Sequence, residues 1–168
     1  INDAVSIPQI LYNVPCRTGC DLENDTVIKL SELENIVGIK DATGDLSRVD
    51  FFKKNTDSNF NLISGDDKTF YEFITKGGHG VISVTANIVP NKISSICKDL
   101  LGGKIGEAKA KNDTLKELHE LMFIEPNPIP VKWALSYMNL IKPYLRLPMV
   151  ELDDKYHQQL KDCIDNVL

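Results

Sequence analysis

A lysine ends the short apolar run Ile36-Val37-Gly38-Ile39-Lys40, and Asp41-Ala42-Thr43-Gly44-Asp45 breaks that run at once. A strand this apolar is normally covered on both faces, so an amine at its end is expected to point into a shielded pocket. Shielding matters chemically. A free lysine, with a pKa of about 10.4, is almost entirely ammonium at neutral pH. Desolvation disfavours that form and favours the amine that attacks carbonyls. The competing reading is a strand-end lysine whose stem covers apolar surface while its head reaches water.

Other reactive residue types carry weaker signals. Cys16, Cys20, Cys97 and Cys163 are even in number. A chain of this size folds without staples, so free thiols in a reducing compartment are expected. Cys16 and Cys20 are four apart, but no second cysteine or histidine pair follows at ligand spacing, so no metal site is expected. His79, His119 and His157 are scattered through a turn and two helical stretches without a triad partner, and are expected to be turn or surface residues.

The elements that must position Lys40 follow from periodicity. Apolar runs at Ile10-Leu11-Tyr12, Ile36 to Lys40, Phe60 to Ile63 and Val81 to Val84 are each followed by an amphipathic stretch, the mark of βα units building a parallel sheet. The helices after the first three carry Val27, Leu30 and Leu33; Leu46, Val49 and Phe52; and Phe70, Phe73 and Ile74. A fourth helical stretch holds Ile93, Ile96, Cys97 and Leu100 and stops at Gly102-Gly103. Beyond it the pattern is helical: one long helix from Ile105 to Met122, an interruption at Pro126, Pro128 and Pro130, a segment around Trp133 to Leu140, and a last helix with Leu160, Cys163 and Ile164.

Composition excludes several classes. The 168 residues, 42% hydrophobic and 26% charged, suit an ordinary globular chain. A net charge of −5 disfavours nucleic acid, whose phosphates demand clustered Lys and Arg. No apolar stretch is long enough to span a bilayer, and Ile1-Asn2-Asp3 begins no signal peptide, so a cytoplasmic location without membrane contact is expected. Because the chain opens on isoleucine, it is expected to be a piece of something longer.

Four βα units suit either half of a βα barrel or a small open sheet. A barrel gathers its working residues at the carboxyl ends of its strands, and here every strand exit is polar: Tyr12, Asn13 and Arg17; Lys40; Ser64-Gly65-Asp66-Asp67; Ser83, Thr85 and Asn87. A nucleotide-binding sheet would place a Gly-rich turn after its first strand, whereas Gly77-Gly78-His79-Gly80 precedes a strand.

Five segments then read together: ILYNVPCRTG from Ile10 to Gly19, VGIKDATGD from Val37 to Asp45, LISGDD from Leu62 to Asp67, GGHGVISVTAN from Gly77 to Asn87, and EPNPIPVKWA from Glu125 to Ala134. In that order and spacing they closely resemble the dihydrodipicolinate synthase family of lysine biosynthesis, over essentially the whole chain. The resemblance implies an α/β fold: residues 1–102 as the C-terminal half of a (βα)8 TIM barrel, with four parallel βα units, and residues 103–168 as a small helical domain. It implies that Lys40 forms a Schiff base with pyruvate, that Tyr12 shuttles protons, that Arg17 holds a carboxylate, and that Gly65 and the carbonyl of Ile82 line the pyruvate pocket.

The implied reaction condenses pyruvate with L-aspartate 4-semialdehyde to 4-hydroxy-tetrahydrodipicolinate. It needs no cofactor beyond the covalent imine and no metal, and the implied assembly is a homo-oligomer, tetramer or dimer. The family's paired threonines, second relay tyrosine and allosteric lysine site have no counterpart in these 168 residues, so the chain alone is expected to be inactive. A sister lyase such as N-acetylneuraminate lyase or a 2-keto-3-deoxy sugar-acid aldolase would share Tyr12 and Lys40, but Arg17-Thr18-Gly19 argues against it. A non-catalytic structural fragment is a second alternative, and a generic phosphate-binding barrel, which the acidic pair Asp66-Asp67 disfavours, is a third.

Overall fold

Alternating apolar runs and amphipathic stretches do build a parallel sheet. A computed structural model describes residues 1–168, except for the side chain of Asp3. The chain divides into two compact units, Ile1–Ser83 with Leu100–Gly103, and Val84–Asp99 with Lys104–Leu168.

The first unit holds β1 (Gln9–Asn13), α1 (Pro15–Thr18), α2 (Asn24–Ser31), β2 (Ile36–Asp41), α3 (Ser47–Asn55), β3 (Asn61–Ser64), α4 (Phe70–Thr75) and β4 (Gly80–Val81). The strands lie in the order β1-β2-β3-β4, all parallel. Register sets Leu11, Ile39 and Leu62 side by side, and one residue later Tyr12, Lys40, Ile63 and Gly80. Because side chains alternate across a strand, these two rows face opposite ways. The first row enters a core of Val27, Ile36, Ile39, Val49, Phe52, Phe60, Leu62 and Phe73. Each such side chain contributes about 1.5–3 kcal/mol of burial free energy, and the helical stripes of α2 and α3 supply Val27, Val49 and Phe52 to it.

The second row is not covered in the same way. Tyr12 is 52% exposed, Ile10 and Ile82 are about as exposed, and Lys40 is half-buried. Among the described residues the face that carries Tyr12 is thus the more open of the two. Helices of this unit cover the face carrying Ile39, and Ile36 at the start of the strand is buried in the same core.

The fourth strand is also shorter than the run Val81 to Val84 suggests. Val84 already has helical backbone angles (φ −73°, ψ −44°) and leads into a 3-10 turn over Thr85–Asn87. Pairing stops at Val81, although the Ile82 N–H still donates to the Ser64 carbonyl (2.9 Å).

The second unit is helical, with most of α5 (Pro90–Leu101), then α6 (Ile105–Asp113), α7 (Lys116–Leu121), α8 (Ile129–Tyr137) and α9 (His157–Val167). Contacts of α9 with α7 and α8 bury Leu118, Leu160 and Ile164. The single helix expected from Ile105 to Met122 is instead two. Thr114 Oγ1 donates to the Lys111 carbonyl (2.7 Å), and the N–H groups of Thr114 and Leu115 bond three residues back. That tightened turn competes with helix continuation. No helix among the described residues is long and apolar enough to cross a membrane.

Candidate active site

The rows of the sheet decide which side chains meet. Tyr12 and Lys40 are register partners on β1 and β2, and Lys40 Nζ lies 4.1 Å from the centroid of the Tyr12 ring. A cation over an aromatic face at this distance is attracted by the ring quadrupole. The amine therefore lies against Tyr12 and is not splayed away from it.

Gly65 completes the contact. A Cβ placed on it would fall 2.9 Å from Lys40 Cε and 2.8 Å from Ala42 Cβ. Absence of a side chain at 65 is thus what lets the lysine stem lie across the exit of β3. The Gly65 N–H donates to the Asp41 carbonyl (2.7 Å), carrying the β2–β3 ladder past its last paired residues. Ile82 joins through its bond to the Ser64 carbonyl, beside Gly65. Tyr12, Lys40 and Gly65 form one contiguous group at the carboxyl ends of the strands, with Ile82 attached by backbone.

Arg17 sits one turn beyond β1, near the end of α1, and is exposed. Gly19 stops that helix in the left-handed region (φ 68°), its N–H donating to the Pro15 carbonyl (2.9 Å). Asn13 fastens the loop. Its Nδ2 donates to Asp21 Oδ1 (2.8 Å), while its Oδ1 accepts from the Leu22 N–H (3.1 Å).

Behind the sheet lies a polar group that sequence reasoning did not foresee. Asp41, as alternation demands, faces away from Lys40, and its Oδ2 accepts from Arg48 Nε at 2.6 Å. Arg48 NH2 donates to the Leu22 carbonyl (2.8 Å), and NH1 reaches Asp21 Oδ2 (3.5 Å). The signal available in the sequence was an acid at an inward-facing strand position followed seven residues later by an arginine.

Histidines depart from expectation once. His79 is an exposed residue just before β4, and its Nδ1 accepts from the Leu62 N–H (2.9 Å). His157 packs its ring against Trp133, 4.7 Å between centroids. His119 is neither turn nor surface: it is buried, and its Nδ1 lies 2.8 Å from Thr85 Oγ1. The apolar stripe of α7 drew it inward, and a hydroxyl partner makes the burial tolerable. All four cysteines are free. Among the described residues no three His, Cys, Asp or Glu side chains gather as metal ligands.

The dihydrodipicolinate synthetase family model matches residues 1–167. The chain belongs to that family. Among curated members, the 4-hydroxy-tetrahydrodipicolinate synthase of Buchnera aphidicola subsp. Cinara cedri is 54% identical over 166 residues, which are 98% of this chain and 56% of that protein. The enzyme of the same name from Saccharophagus degradans is 48% identical over 161 residues, 96% of this chain and 55% of that protein. The chain thus spans about half the length of the curated relatives it matches. Solved family structures agree in fold. The chloride-inhibited dihydrodipicolinate synthase of Acinetobacter baumannii complexed with pyruvate superimposes with a TM-score of 0.94 at 44% identity, covering 98% of this chain and 57% of that one. The synthase of Methylacidiphilum fumariolicum SolV gives 0.96 at 38%, covering 99% and 56%. Within the dihydrodipicolinate synthetase family, the four parallel strands with their helices correspond to the C-terminal half of the TIM barrel, followed by helices.

Proposed function

We propose that this chain carries the imine-forming half of a pyruvate-condensing synthase, with Lys40 as the nucleophile. The amine of Lys40 adds to the keto carbon of pyruvate and water leaves, giving an imine. Loss of a methyl proton then gives an enamine, whose terminal carbon bonds to the aldehyde carbon of L-aspartate 4-semialdehyde. The amino group of that second substrate attacks the imine carbon, closes the ring and releases Lys40, yielding 4-hydroxy-tetrahydrodipicolinate. Tyr12 relays protons in these steps. Arg17, with its planar fork of donors, holds the semialdehyde carboxylate. Gly65 and the Ile82 carbonyl line the pyruvate pocket. No cofactor or metal enters this scheme, and the parent protein is a homo-oligomer, tetramer or dimer.

The observation that supports this reading is the group formed by Tyr12, Lys40 and Gly65: an amine 4.1 Å from a tyrosine ring centroid, its stem lying where a side chain at 65 would stand. Half-exposure of Tyr12 on a sheet whose outer strands are β1 and β4 also supports inactivity of the 168 residues in the full condensation. Borohydride reduction in the presence of labelled pyruvate tests the first step. Label on the Lys40 peptide in preference to other lysines is expected, and equal labelling of all lysines would refute the assignment. In the full-length protein, turnover with aspartate semialdehyde and not with sugar aldehydes separates this reading from a sister lyase.

A further inference from the structure

We propose that Arg48 is a positioning residue for this chemistry, holding Lys40 and Tyr12 together from the opposite face of the sheet. The inference rests on the reading of Lys40 and Tyr12 as the working pair. Each of those residues is followed directly by a side chain that turns to the other face: Asn13 after Tyr12, Asp41 after Lys40. Asn13 and Asp41 are themselves register partners, and they are 1% and 4% exposed. Whatever fixes these two therefore fixes the backbone from which the front pair projects.

Arg48 ties them. From the first turn of α3 its guanidinium spans Asp41 Oδ2, the Leu22 carbonyl and Asp21 Oδ2. Leu22 and Asp21 are the two residues that Asn13 holds. A closed chain of hydrogen bonds thus runs Asp41, Arg48, Leu22 and Asp21, Asn13. It is closed on the strand side by the Ala42 N–H donating to the Asn13 carbonyl (2.9 Å). Asp41 Oδ1 also accepts from the Thr43 N–H (2.8 Å), which turns the chain away from β2. Arg48 is 6% exposed and lies over the Phe52 ring, 5.2 Å from its centroid, so the clamp is anchored in the core. Three fixed donors in one plane are a property of guanidinium that an ammonium lacks.

The same loop carries Arg17, between Asn13 and Asp21. One clamp therefore sets the strand exit bearing the amine, the exit bearing the phenol and the loop bearing the carboxylate-binding arginine.

Two variants test this. Arg48→Lys keeps a cation for Asp41 but cannot span the other two acceptors. Asp21→Ala cuts one arm at a half-exposed side chain and leaves the buried pair intact. The first readout is the ring-current shift that Tyr12 imposes on the Lys40 Hε protons, calibrated by its disappearance in Tyr12→Leu. The second is the rate of pyruvate trapping at Lys40 at saturating pyruvate. With both variants folded by circular dichroism, the shift is expected to shrink. Trapping is expected to fall by about tenfold or more, within what an ångström of misplacement produces. An unchanged ring-current shift in both variants would overturn the positioning role. If Arg48→Lys fails to fold, Asp21→Ala alone decides by the same criteria. Should unmodified protein trap no pyruvate at Lys40, the functional reading fails, while the ring-current shift still decides for or against the clamp.

Discussion

Arg48 Nε donates to Asp41 Oδ2 at 2.6 Å, directly behind the strand position from which Lys40 faces the opposite way. The ion pair is buried on both sides, so it stabilises only while both members are present.

Removing one partner leaves an uncompensated charge. Arg48→Met is expected to cost about 3–5 kcal/mol of folding stability, whereas the double change Asp41→Leu with Arg48→Met recovers much of that loss. Urea denaturation of the single and double variants measures both.

Gly65→Ala puts a methyl group 2.8 Å from Ala42 Cβ and 2.9 Å from Lys40 Cε. The lysine stem can swing away, but Ala42 cannot. A loss of about 1–3 kcal/mol is expected from such overpacking, together with reduced pyruvate trapping at Lys40. Thermal melts and peptide mapping check the two effects separately, and full trapping in a folded variant would show that the contact at 65 is dispensable.

Lys40→Ala is expected to abolish the borohydride-trapped adduct while the chain stays folded, because the half-buried lysine contributes no side chain to the core beneath the sheet. Mass spectrometry of the reduced protein gives the answer. Persistent labelling at the same level would move the nucleophile elsewhere.

Thiol reactivity should separate into classes. Cys16 and Cys20 are exposed, Cys97 is half-buried, and Cys163 is buried in α9. Burial raises the Cys97 pKa. It also pushes Cys163 up to about 11, with a smaller contribution from the Glu117 charge. A native thiol that holds its proton above the unfolded value of about 8.5 contributes stability at lower pH. That contribution is full below about pH 8.5 and is lost as pH rises through about 11. A disulfide-exchange reagent at pH 8 should modify two thiols at once, a third slowly, and Cys163 only on unfolding. Denaturation midpoints should fall between pH 9 and 11, and a Cys163→Ala variant should lack that component.

Much of the first unit is legible without coordinates. Period-two and helical apolar patterns are local, so Ile39 and Leu62 in strands, and Val49 and Phe52 on a helix, announce the layer they build. Less legible were features made by residues far apart in sequence. His119 became a core residue because Thr85, 34 positions earlier, supplies a hydroxyl. The break at Thr114 needed one side-chain bond to the Lys111 carbonyl that no periodicity encodes.

By itself the sequence determined the order of βα units, the residues at their exits and the family to which they point, because strand alternation and motif spacing are written in neighbouring residues. Only the tertiary structure decided that Lys40 lies against the Tyr12 ring with Gly65 beneath its stem, and that Arg48 locks the back of the same strands. Those contacts depend on register between strands and on directions across a helix–sheet interface, where shifting one strand by a single residue would send every side chain to the other face.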